Sequence, residues 1–240
     1  MKQDYYGLCD NSFDKAFNEV EGLARYPWVG CLFAEKSNNC RPLIIGESHY
    51  ATDGKVFSQE ALNDSKDKYF TRMVVNDVIN DKCMYEPTWK MFEGLLKTFI
   101  KVSPDNVKDF WSKVAFYNFI QRVMTSSDEE PTNDDKRTGW KCLGSVIKVL
   151  NPTSIIIVGV RNDGGSDAIN DDTIRLEDFK DDMDYRINNC RPRIGEIIIH
   201  NKVIPITLIK HTSQRYSPNQ WHDYLINRAP EIITHLEVIL

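Results

Sequence analysis

The chain has 240 residues, of which 41% are hydrophobic, 27% charged and 11% aromatic, and its formal net charge is −5. This balance excludes a disordered or fibrous chain and leaves ample apolar surface for a buried core. It also excludes an overall basic field, so any polyanionic partner has to be met by a local cluster of Lys and Arg.

The six cysteines, Cys9, Cys31, Cys40, Cys83, Cys142 and Cys190, form no CxxC pair and signal neither a zinc site nor a dense disulfide framework. They read as free thiols in a reducing compartment. The first residues, Met1-Lys2-Gln3-Asp4-Tyr5, lack the apolar run of a leader peptide, and no window approaches ~18 consecutive apolar residues. The expectation is a soluble, cytoplasmic, monomeric chain with no membrane association, folded as a single domain over residues 1–240.

In chain order, Phe13, Phe17, Val20 and Leu23 fall at helical spacing and predict a helix over 13–24 that stops at Pro27. Leu43-Ile44-Ile45-Gly46 is a short apolar run closed by glycine, a buried strand that turns sharply into Glu47-Ser48-His49-Tyr50. A polar loop through Asp53-Gly54 follows, long enough to close over a ligand. Helical spacing then recurs over Asp67–Asn80 and Thr88–Ile100.

Val114 to Phe119 reads as a second buried strand with a polar tip at Asn118, and 125–137, almost without apolar residues, as a loop. Trp140–Leu150 returns to helical spacing, and Asn151-Pro152 ends it. Ile155-Ile156-Ile157-Val158 is the plainest buried strand, again closed by a glycine. Residues 161–184 are acidic and turn-rich, an excursion between core elements. Ile197–Ile199 and Val203–Ile209 are strands joined at His200-Asn201-Lys202, and Ser217-Pro218 reads as N-cap and first residue of a last helix carrying Trp221, Tyr224 and Leu225. Strands alternating with helices predict a three-layer α/β/α fold around a mostly parallel four-stranded sheet.

In such sheets the C-terminal strand ends hold the site. Three of them carry polar groups here: Glu47, Ser48, His49 and Tyr50 after Gly46, Asn118 at the middle strand, and His211 after Lys210. A carboxylate that orients water, an amide that grips a leaving group and an imidazole that stabilises its negative charge suit hydrolysis of a bond with an anionic leaving group.

Gly46-Glu47-Ser48-His49-Tyr50, Phe116-Tyr117-Asn118-Phe119-Ile120 and His211-Thr212-Ser213 together resemble the uracil-DNA glycosylase superfamily. Its members carry GQDPYH or GEAPG after the first strand, an Asn after a middle strand, and an HPS-type motif after the last. The resemblance spans residues 40–225 and implies a uracil-DNA glycosylase-like fold and a monofunctional DNA glycosylase. Such an enzyme removes uracil or a modified pyrimidine flipped out of single- or double-stranded DNA, without metal or cofactor.

Carried over residue by residue, it makes Glu47 the acid that positions water and His211 the group that stabilises the departing base. Tyr50 screens the base's C5 position and Asn118 pairs with its polar edge. Gly46, Ser48 and His49 complete the base pocket, with Phe57 as the aromatic on which the base stacks. Ser213, Gln214, Arg215 and Tyr216 occupy the loop that enters DNA. Arg122, Lys136, Arg137, Arg161, Lys210 and Arg215 fall near the strand ends, as a phosphate-contacting rim requires.

The sequence departs from the GQDPYH pattern at Ser48, His49 and Ala51, which replace Asp, Pro and His, and Thr212 replaces the Pro of HPS. No cysteine pattern matches the iron–sulfur ligands of the GEAPG branch. These departures admit an alternative, a catalytically inactive nucleic-acid-binding or protein-interaction module on the same fold. A serine hydrolase using Ser48 is the third reading, although the G-x-S-x-G elbow is absent.

Overall fold

A computed structural model describes residues 7–35, 39–53, 56–80, 86–126, 128–159, 164–212 and 215–236. In chain order these form α1 (Asp14–Phe17), β1 (Trp28–Val29), β2 (Pro42–Gly46), β3 (His49–Tyr50), β4 (Thr52–Asp53), β5 (Val56–Phe57), α2 (Gln59–Asp64), α3 (Phe70–Ile79), α4 (Glu86–Phe99) and α5 (Pro104–Lys113). There follow β6 (Ala115–Asn118), β7 (Val123–Met124), α6 (Asn133–Leu150), β8 (Ser154–Val158), a 3-10 turn (Ser166–Ile169), β9 (Ile174–Asp181), β10 (Arg193–Ile199), β11 (Lys202–Ile209), α7 (Pro218–Arg228) and α8 (Pro230–Leu236).

Continuous apolar runs make strands buried on both faces. Leu43, Ile45, Ala115, Tyr117, Ile155, Ile157, Ile206 and Leu208 pack with Trp140, Leu143, Val146 and Ile147 of α6 on one face. The alternate residues Ile44, Phe116, Ile156, Val158 and Ile209 pack with α3, α4, α5, α7 and α8 on the other. The result is an α/β fold with helices on both sides of the sheet. Among the described residues, no helix is long and apolar enough to cross a membrane.

The sheet has seven strands, in the order β1-β6-β2-β8-β11-β10-β9, rather than the expected four. Its four central strands are mutually parallel: β2 pairs with β6 and β8, and β8 with β11. Antiparallel β1, β10 and β9 widen it at both sides. The strand β9 corrects the reading of 161–184 as an excursion. Asp178 sits at φ 49° beside a register shift between Ile194 and Glu196, so Ile174, Leu176 and Phe179 face inward at spacings of two and then three. That bulge hides the strand from a period-two pattern.

Other differences have equally local causes. Only one turn of the helix predicted over 13–24 forms, because the bonds after it close over three residues, Val20 N to Phe17 O and Leu23 N to Val20 O. The helix α6 starts inside the expected loop, where Thr132 and Asp135 form a reciprocal capping box. The unanticipated α5 is capped by the Ser103 hydroxyl, which accepts from Asn106 N, with Pro104 in the first turn. Ser217 takes the N-cap position of α7 but makes no side-chain cap bond. His200 and Asn201, both at positive φ, make the hairpin turn between β10 and β11 as expected. Cys9, Cys31, Cys40, Cys142 and Cys190 are free thiols; Cys83 lies outside the described residues.

Candidate active site

Parallel pairing of β6, β2, β8 and β11 puts all four C-terminal ends on one edge. The register sets Gly46 beside Asn118 and Ile209 beside Val158. The ends of β6 and β11 are three interstrand spacings apart, roughly 14 Å.

Asn118 closes β6 on the same face as Phe116, and its side-chain oxygen lies against the Cα of Gly46, where any Cβ would collide with it. The residue is 7% exposed, yet its amide makes no hydrogen bond to any described residue. A near-buried amide without a protein partner is costly unless a ligand or water satisfies it.

His211 stands over the end of β8 in the same way. Its ring packs on Gly159, where a Cβ would come within 2.5 Å of Cδ2, and Gly159 adopts φ +94°. Glycine is the residue that meets both demands. The following Thr212 is buried and donates from Oγ1 to Met91 O of α4 at 2.8 Å, with Gly94 behind it, so α4 anchors the His211 loop.

Glu47 is half-buried, and its carbonyl accepts from Ile120 N at 2.8 Å, next to the bond from Phe119 N to Gly46 O at 2.9 Å. The two strand ends are thus stitched together one step beyond the regular ladder. Tyr50 is half-buried; burial raises its phenol pKa, the Ser48 hydroxyl lowers it, and Glu47 and Glu129 raise it. The Ser48 Oγ is buried beside that phenol without a hydrogen bond of good geometry, and among the described residues no imidazole is hydrogen-bonded to it. That arrangement removes support from the serine-hydrolase reading.

His49 turns into the protein. Its Nε2 is 2.9 Å from Thr71 Oγ1 and its ring meets Phe70 edge-on at 5.0 Å, both on α3. Burial, then the nearby Arg25 cation, hold its pKa down at about 3, so it is neutral. The His49 side chain thus packs against α3. Phe57 ends a short hairpin, β4 with β5, whose base is closed by Ser58 N to Ala51 O at 3.0 Å; it is 46% exposed.

Of the loop expected to enter DNA, Ser213 and Gln214 lie outside the described residues. Arg215 is exposed, at φ 44°. Tyr216 folds inward: it stacks on Trp221 at 6.0 Å and shares a 2.8 Å hydrogen bond with Thr98 Oγ1, and burial raises its pKa.

The expected basic rim is smaller than the sequence suggests. Arg122 is held by Glu129 and Asp135; its guanidinium lowers the Asp135 carboxyl to about 2, and the two carboxylates, Asp135 first, raise the guanidinium in turn. Arg137 pairs with Asp167 at 3.2 Å. Lys210, which precedes His211 in the chain, donates to the backbone carbonyl of Arg215 at 3.3 Å. Arg161 lies outside the described residues.

Sequence reasoning missed Gly159, Gln121 and Arg25 as site-supporting residues. Gly159 was legible, since it closes an isoleucine-rich run as Gly46 does. Gln121 and Arg25 gave no signal, because their partners are 96 and 97 positions apart in the chain. No protein-family model matches the chain, and no curated protein matches it.

Proposed function

We propose that the chain is a monofunctional DNA base glycosylase on a uracil-DNA glycosylase-like core. It would hydrolyse the N-glycosidic bond of a flipped uracil or modified pyrimidine and leave an abasic site. The observation that carries this reading is the Asn118 amide, nearly buried at a strand end and without a hydrogen bond among the described residues. An amide presents a donor and an acceptor together, the pattern of a pyrimidine's polar edge.

In this reading Glu47 orients a water toward the sugar carbon C1′. As the C1′–N bond breaks, its electron pair leaves with the base, and His211 donates a hydrogen bond to the base oxygen that gains charge. Water supplies the hydroxyl on C1′ and the proton that the base finally takes up. This reading assigns Lys210 and Arg215 to a phosphate of the flipped nucleotide.

The test incubates the protein with single- and double-stranded oligonucleotides bearing uracil or modified pyrimidines, followed by alkaline cleavage of abasic sites. Strand cleavage at the modified position is expected on at least one of them. Salt-sensitive binding with intact strands throughout would instead identify a nucleic-acid-binding module.

A further inference from the structure

Behind Asn118 lies a set of buried polar groups that the proposed chemistry does not use. Gln121, 9% exposed, commits both ends of its amide: Oε1 accepts from Ala24 N at 3.0 Å, and Nε2 donates to the Asn118 carbonyl at 2.6 Å. Its own carbonyl accepts from Arg25 Nη1, and Arg25 Nε donates to Ser65 O at 2.6 Å. Arg25 is 7% exposed and pairs with no carboxylate among the described residues.

We infer that Gln121, braced by Arg25 and the Ala24 peptide, is a positioning residue that fixes the Asn118 amide over Gly46; this rests on the base-reading role proposed for Asn118. Among the described residues, the Asn118 side chain has no hydrogen bond of its own to orient it. Its direction is therefore set by its backbone and by the bare Cα of Gly46. That backbone is held from two sides. The bonds Phe119 N to Gly46 O and Ile120 N to Glu47 O tie the turn to β2, and Gln121 ties the Asn118 carbonyl to the segment at Ala24 and Arg25.

A fold that needed only packing here would place an apolar side chain. A guanidinium buried against carbonyls alone is expensive to keep, and it is spent on the turn that bears the reading group. Removing Gln121 leaves Ala24 N and the Asn118 carbonyl without these partners. The turn then relaxes and carries the amide away from the position set by Gly46.

The experiment compares wild type with Gln121→Met, which keeps the side-chain length and removes both hydrogen bonds. It has two readouts. The first is the side-chain NH₂ resonance of Asn118 in a ¹⁵N-labelled sample, identified by its loss in Asn118→Ala. The second is the split between kcat and KM for base release. Expected are a displaced or broadened Asn118 resonance and a fall in kcat of about 10- to 100-fold, the scale of a small misplacement of a catalytic geometry, with KM changed much less. A folded Gln121→Met protein whose Asn118 resonance stays in place, or whose kcat is unchanged, overturns the inference. If wild type releases no base from any oligonucleotide, the functional reading fails and the resonance alone decides whether Gln121 positions Asn118. Should Gln121→Met not fold, Gln121→Asn, too short to span both partners, answers the same question by the same readouts.

Discussion

Gly46 and Gly159 close neighbouring parallel strands, and each carries on its Cα a side chain from another strand end, Asn118 and His211 respectively. A methyl group at either place displaces a group on which the proposed chemistry depends. Gly159→Ala adds backbone strain at φ +94° to a contact of 2.5 Å with the His211 ring. Its single-turnover rate of base release should fall at least about tenfold while the far-ultraviolet spectrum stays native. An unchanged rate would remove His211 from the site. Asn118 was legible as a polar residue at the tip of an apolar run, whereas the burial of His49 was not, because its partner Thr71 comes from a helix that sequence proximity does not reveal.

The same histidine gives a pH signature. Its pKa is lowered from 6.5 to about 3, by burial first and Arg25 second. The contribution of neutral His49 to stability is thus fully present above pH 6.5 and is lost progressively as pH falls from there toward 3. The slope approaches about 1.4 kcal/mol per pH unit from this one group. Urea unfolding of wild type and His49→Gln at pH 7 and pH 5 measures it: the variant, whose amide still reaches Thr71, should lose less stability between the two. Equal losses would mean that His49 is solvated.

Among elements, helices and buried strands were readable where their pattern was regular, and failed where one residue changed the period. Asp178 in the left-handed region lets Phe179 return to Trp140 at 5.8 Å and under Arg193 at 4.3 Å, which no alternation in the sequence announces. The one-turn α1 and the early start of α6 follow from three-residue bonds and from Thr132 with Asp135. Between elements, α7 is tied to the β9–β10 connection by Asp182, whose side chain is 2% exposed and binds Arg228 at 2.7 and 2.9 Å. Arg228→Ala leaves that carboxylate buried with two uncharged donors, Tyr224 Oη at 3.2 Å and Asp184 N at 3.3 Å. The expected loss is about 3 kcal/mol, read from the denaturant midpoint, since Arg228 itself is partly exposed. A loss below about 1 kcal/mol would show that water takes its place.

For the molecule as a whole, the order β6-β2-β8-β11 brings Glu47, Asn118 and His211 from positions far apart in the chain to one edge of a parallel sheet. The alternation of apolar strands and helices foretold that edge. It did not foretell the antiparallel flanks, or that Arg122 and Arg137 are occupied by acidic partners. With a net charge of −5, the proposed reading gives the chemistry of the edge, rather than a general basic field, most of the discrimination. That chemistry is tested most directly by mass spectrometry of the free base released from uracil- and modified-pyrimidine-bearing oligonucleotides, with wild type and Asn118→Ala run in parallel. Wild type should release one free base, and Asn118→Ala, correctly folded, should release it at least about 100-fold more slowly. No free base from any oligonucleotide, or equal release by the two proteins, would contradict a base-reading site at this edge.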